Sequence, residues 1–140
     1  MRYLKTYESD YIRKKNLEDF SDFLFLFIAS KTNGKFRLKK EYNSYEFYWK
    51  KSETYHICLF SLIAYNYEQF EYTFYIRSKI AQRHYRLFPD EIKEVLEFIN
   101  HVMKKFFDFD NYVSYDKIPE IEKYIKENFE IYKSVKKYNL

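Results

Sequence analysis

Residues 55–79, YHICLFSLIAYNYEQFEYTFYIRSK, decide the fold: two apolar runs with the two-residue period of strands flank a polar break at 66–69. In the second run Phe70, Tyr72, Phe74 and Ile76 share one face, while Glu71, Thr73, Tyr75, Arg77 and Lys79 share the other. That is the pattern of a half-buried strand. In the first run Tyr55, Ile57, Leu59 and Ile63 share a face, but His56, Cys58, Phe60, Leu62 and Ala64 make the opposite one almost as apolar. Such a run predicts a central strand covered on both sides.

Upstream, 35–42 alternates with Phe36 and Leu38 inward and Arg37 and Lys39 outward. Tyr45, Phe47 and Trp49 resume the alternation after a polar turn at Asn43 and Ser44. Breaks this short permit only antiparallel pairing between successive strands, so the expectation is a four-stranded meander in chain order over 35–79. Further upstream, Tyr3, Leu4, Tyr7, Tyr11 and Ile12 recur at helical spacing and stop at an exposed basic trio, Arg13, Lys14 and Lys15. Asn16 is placed to cap a second helix, with Glu18, Asp19 and Asp22 in its first turns, Lys31 near its end and a buried stripe of Phe20, Phe23, Leu24, Phe27 and Ile28. A rival reading makes 23–31 a strand turning at Asn33 and Gly34. The lack of apolar–polar alternation favours the helix, with Gly34 as a left-handed residue just past its end.

Downstream, 80–88 fits neither period and reads as an irregular connection. Pro89, Asp90 and Glu91 open the sharpest helix of the chain, with Ile92, Val95, Leu96, Ile99, Val102, Met103 and Phe106 on its core side. After a loop over 108–115, Asp116 and Pro119 start a last helix with Ile121, Ile125, Tyr132 and Val135 on its apolar side and Phe129 beside it. The expected architecture is a single α+β domain over 1–140: a four-stranded antiparallel meander with two N-terminal and two C-terminal helices packed on it.

Composition narrows the function mainly by exclusion. Aromatic residues form 24% of the chain, but Tyr, Phe, Lys, Ile and Asn share AT-rich codons, so their abundance alone carries no functional weight. The longest uninterrupted apolar run, 23–29, is far shorter than the roughly 20 residues a membrane-spanning helix needs. Charges interrupt the first ten residues where a signal peptide would be apolar, and the single cysteine forms no internal disulfide. The expectation is a cytoplasmic protein without a membrane partner. A net charge of +4, with both signs mixed along the chain, permits an acidic partner without requiring one.

The only glycine, Gly34, rules out the glycine-rich dinucleotide loop, the P-loop and the nucleophile elbow, and no strand holds the glycine of an RNP1 element. His56 and Cys58 lie two apart on a strand; a metal site or a thiol nucleophile there would need His84 or a carboxylate close by. Core packing is the favoured reading of the pair, with an enzyme around His56, Cys58 and His84 as the third functional reading. Asp108, Asp110 and Asn111 fail the calcium-loop frame, which would put Tyr112 at its fifth position, Val113 at the required glycine and Pro119 at the closing glutamate. No metal or cofactor is expected.

What remains is Tyr75, Arg77, Lys79, Arg83, His84, Tyr85 and Arg86, the most concentrated basic–aromatic stretch. It suits single-stranded nucleic acid, with rings stacking on bases and cations following phosphates, or else an edge strand whose charges block sheet-to-sheet association. The leading expectation is a small non-enzymatic binding protein acting on a protein partner, or on a second copy of itself, in the manner of immunity proteins and defence antagonists. Its warrant is the lack of a catalytic signature in a Tyr-rich chain, because interfaces favour Tyr.

Overall fold

The computed structural model describes residues 2–75 and 85–138. Among these residues the fold is α+β, with a six-stranded antiparallel sheet and three helices. Strands β1 (Phe36–Lys40), β2 (Ser44–Lys50), β3 (His56–Ala64) and β4 (Gln69–Phe74) form the expected meander in chain order. Two further strands, β5 (Phe107–Phe109) and β6 (Tyr112–Ser114), extend the sheet to the order β1-β2-β3-β4-β6-β5. They occupy the segment expected to be a loop. Three-residue strands carry too little periodicity to be seen in sequence, and they are held by a distant partner: Val113 pairs with Phe70 on β4. The turn between them places Asp110 at φ 48°, a left-handed conformation that Asp tolerates better than most residues.

Helix α1 (Arg2–Lys31) is one continuous helix, not the expected pair. Its 30 residues include neither Gly nor Pro, and Arg and Lys are good helix formers, so nothing in the basic trio forces a break. Asn16 lies inside the helix instead of capping one, and the strand alternative for 23–31 is not adopted. Leu17, Phe20, Leu24, Phe27 and Ile28 are buried, and the buried Ser21 hydroxyl donates to the Leu17 carbonyl at 2.9 Å one turn back.

Gly34 follows the helix without a positive φ, contrary to the left-handed end expected for it. Its role is close approach: a Cβ there would meet Ile92 Cδ1 and the Phe36 ring at 3.0 Å. The same corner is tied by the Asn33 amide, which donates to Glu91 Oε1 at 2.8 Å, and by Thr32 Oγ1, which donates to the Ile28 carbonyl.

Helix α2 (Asp90–Lys105) follows its sequence pattern. Pro89 precedes it in an extended conformation, Asp90 and Glu91 lie at its positive end, and Lys104 and Lys105 at its negative end. The expected stripe is buried from Ile92 to Met103, with Phe98 added to it. Helix α3 (Ile118–Tyr138) follows a 3-10 turn, Tyr115–Lys117, whose Asp116 amide donates to the Ser114 hydroxyl. Ile121, Ile125 and Phe129 are buried as expected, whereas Val135 is exposed, and Lys136 beside it reaches Glu97 of α2.

The core is largely a lattice of rings. Phe20 of α1 packs on Phe70 of β4 at 6.0 Å, Phe60 of β3 lies 4.2 Å from Phe47 of β2, and Trp49 meets Phe88 at 4.5 Å. Phe129 joins α3 to Phe27 of α1 and Phe98 of α2 at 5.2 and 5.1 Å. Each such pair adds about 0.5–1.5 kcal/mol beyond the area it buries. A register shift at Phe47 and Tyr48 pairs Phe47 with Phe60 and Tyr48 with Cys58, leaving Leu59 as an extra residue. Ile57 and Phe60, placed on opposite faces by simple alternation, therefore both pack with the core. The second face of β3 is not helix-covered among the described residues: His56, Cys58 and Ile63 are half-buried, and Ser61 is shielded by Tyr75.

Phe60→Ala is expected to lower stability by about 3–5 kcal/mol in urea unfolding, and Gly34→Val by about 1–3 kcal/mol through overpacking against Ile92. A neutral Gly34→Val would remove close approach as the reason for glycine.

Candidate functional site

Three segments meet at one end of the sheet: the β1–β2 turn at 41–43, the β3–β4 turn at 65–68 and the stretch of α1 around Arg13 and Lys14. They enclose a cleft of about 370 Å³ lined by Arg13, Lys14, Tyr42, Tyr65, Tyr67 and Tyr115, with Asn43, Ala64 and Asn66. The turns are tightly bonded. The Ala64 amide donates to the Asn43 carbonyl at 2.8 Å, which joins the two hairpins, and Asn66 Oδ1 accepts the Glu68 and Gln69 amides at 2.8 Å each. The Tyr115 amide donates to the Glu68 carbonyl at 3.0 Å and ties the start of α3 to the same turn.

On this framework the rings stand outward. Tyr42 is 80% exposed, Tyr65 56% and Tyr67 52%. Tyr65 packs on Tyr112 at 4.4 Å, and Tyr112 on the exposed Phe109 at 5.1 Å, so the aromatic surface continues to the β5 edge. Lys14 Nζ sits 3.5 Å from the Tyr42 ring centroid, and the Arg13 guanidinium lies 5.9 Å from that of Tyr67. Among the described residues neither cation meets a carboxylate within ion-pair distance. Of the acids nearby, Glu18 and Asp22 hold Lys40 at 3.1 and 2.9 Å and Glu41 holds Lys39 at 3.0 Å, while Asp19 lines an adjoining hollow with Lys14. The hydrogen bond to Asp22 keeps the Lys40 ammonium above its ordinary pKa.

Of the basic–aromatic stretch expected to bind, the structure describes Tyr75, Tyr85 and Arg86. Strand β4 stops at Phe74, and Tyr75 is exposed with its hydroxyl 3.2 Å from Ser61 Oγ, at the opposite end of β4 from the cleft. Tyr85 turns inward: its hydroxyl donates to Glu97 Oε1 at 2.9 Å and its ring packs on Phe88 at 5.4 Å. Burial and the Glu97 carboxylate raise its pKa, and Lys136 donates to the same carboxylate from α3. Arg86 is exposed, with its carbonyl accepting from Lys93 Nζ. Arg77, Lys79, Arg83 and His84 lie outside the described residues.

His56 and Cys58 face Lys50 and Tyr48 across the β2–β3 pair. Burial, followed by the Glu46 charge, pushes the Cys58 thiol up to about 12, which suppresses the thiolate a nucleophile needs. Among the described residues no three of His, Cys, Asp or Glu converge as a metal would require, and no helix is long and apolar enough to cross a membrane.

The rim residues did leave a trace in sequence. Tyr42, Tyr65 and Tyr67 sit beside the polar breaks that end strands, where a large side chain has little core to enter. The basic trio was expected to be exposed; Lys15 is, whereas Arg13 and Lys14 are half-buried, and their position opposite those turns was not readable.

Two measurements follow. Tyr42→Ala and Tyr67→Ala should each change unfolding free energy by no more than about 1 kcal/mol, since only exposed cation–ring contacts are lost. At pH 8, a thiol near 12 instead of its ordinary 9.0 holds roughly a thousandfold less thiolate, so Cys58 should label far more slowly in the folded protein than in urea. Equal labelling rates would refute this assignment. Tyr48 is likewise raised to about 12 from 10.0, chiefly by burial. The unfolded chain therefore releases both protons first, and stability should fall as pH climbs from about 9 to 12.

The chain matches no protein-family model, and no curated protein or solved structure shows significant similarity to it.

Proposed function

We propose that this protein is a non-enzymatic binding protein that acts by surface complementarity on a protein partner, through the end of the sheet that carries Tyr42, Tyr65 and Tyr67. The observation that carries the reading is the exposure of these rings on turns whose backbones are hydrogen-bonded into place. A tyrosine supplies a large, stiff, amphipathic contact area with little side-chain entropy to lose, and a pre-organised turn lowers the ordering cost of association. Tyr and Arg are also the residue types on which interface energy concentrates.

Charge around the rings supports a protein partner over a nucleic acid. Glu41, Glu68 and Asp116 stand at the same end as Arg13 and Lys14, and Glu41 is the partner of Lys39. A phosphate backbone selects a continuous positive track, whereas protein interfaces have mixed polar rims around an aromatic centre. The nucleic-acid reading of 75–86 keeps the exposed Tyr75 and Arg86 but loses Tyr85 as a stacking platform. The enzyme reading around His56, Cys58 and His84 is weakened by a thiol that stays protonated. Occupying a partner's surface is the mode of immunity proteins and defence antagonists, and the proposal places this chain with that type.

The test is site-specific photo-crosslinking in the native host, with the probe at Tyr67 and, as control, at the exposed Glu127 of α3. A discrete protein adduct from position 67 and none from 127 is the expected outcome. Equal adducts from both positions, or nucleic-acid adducts alone, would sink the proposal.

A further inference from the structure

We infer that the cleft receives an acidic side chain of the protein partner, with Arg13 and Lys14 as its counter-ions; this rests on the protein-binding reading above and names the partner's chemistry. Arg13 and Lys14 are consecutive on α1, so their side chains leave the helix about 100° apart. Each nevertheless ends over a ring of a different turn, Arg13 over Tyr67 and Lys14 over Tyr42, and the two cations thus flank one opening. A ring face holds a cation in place but accepts no conventional hydrogen bond from it. Neither has a carboxylate partner among the described residues, while Lys39 and Lys40 nearby are both paired. Among the described residues these two cations thus carry no ion pair at the mouth of the cleft, although Glu18, Asp19 and Glu41 line a neighbouring hollow with Lys14.

The size and surroundings of the cleft select the ligand class. About 370 Å³ lies near the lower bound of ligand pockets, roughly 300 Å³, which suits one side chain rather than a length of chain. On the other side of Tyr115 a second hollow is lined by Asp19, Asp116 and Glu122, where burial raises the Glu122 pKa. A polyanion laid across this end of the sheet would leave the two cations and meet these acids directly. A polypeptide carrying one carboxylate into the cleft, with neutral or basic residues beside it, meets no such repulsion.

The probe is an acetylated, amidated Ser-Ser-Glu-Ser peptide, which carries one carboxylate beside neutral residues, titrated into the full chain and followed by amide resonances, with a tetralysine peptide and an eight-residue oligothymidylate as comparators. The glutamate peptide should shift resonances at 13–14, 42–43 and 65–67, and its affinity should fall as salt rises. The double variant Arg13→Gln, Lys14→Gln, which keeps good helix formers, should weaken it about tenfold, whereas Arg13→Lys, Lys14→Arg should keep most of the binding. An unchanged affinity in the glutamine variant, or tighter binding of oligothymidylate or tetralysine at the same residues, would overturn the inference. The Tyr67 crosslink separates the two claims. If the glutamine variant leaves the crosslink to the partner intact, the acidic contact is refuted and the binding reading survives; if wild-type protein forms no crosslink, the binding reading itself fails.

Discussion

The contact between Phe47 and Phe60, 4.2 Å apart across β2 and β3, is the one on which the remaining architecture depends. It forms only because the extra residue at Leu59 resets the alternation of β3, bringing Phe60 opposite Phe47 while Ile57 stays opposite Trp49. From this pair the ring lattice runs to Tyr72 at 5.7 Å and on to Phe107 at 6.1 Å, and Trp49 carries it to Phe88 beside the start of α2. Without the bulge, a strand alternating strictly from Ile57 would turn Phe60 away from the helices, and the sheet would lose the centre of its packed face.

A core filled by rings on one face has a consequence for the other surfaces. Buried aromatics such as Phe20, Phe70 and Tyr72 fill the core, and of the tyrosines lining the cleft only Tyr115 among the described residues joins them. Tyr42, Tyr65 and Tyr67 project instead, and α1 supplies cations that rest on two of them. The same continuity of α1 that joins the core also brings Arg13 and Lys14 to the turns. A break at that trio, as its charges suggested, would have removed the cleft. Structure and candidate function therefore share one element.

The alternatives lose ground for local reasons that are equally physical. Tyr85 is held by Glu97, which Lys136 also engages, so that corner joins the 85–88 turn, α2 and α3. Cys58 lies opposite Tyr48 in a half-buried setting with the Glu46 carboxylate near, and both burial and negative charge oppose a thiolate.

The amino-acid sequence by itself determined whatever depends on near neighbours. The order and antiparallel sense of β1 to β4 follow from strand period and short turns, and α2 follows from its stripe, its proline and its paired end charges. Tertiary structure decided what depends on partners remote in the chain: the β5–β6 hairpin that needs Phe70, the glycine that needs room beside Ile92, and the bulge that needs Phe47. The candidate site belongs to the second class. The cations of α1 were legible as a basic trio, but a cleft is a distance between segments, and local periodicity contains no such distance.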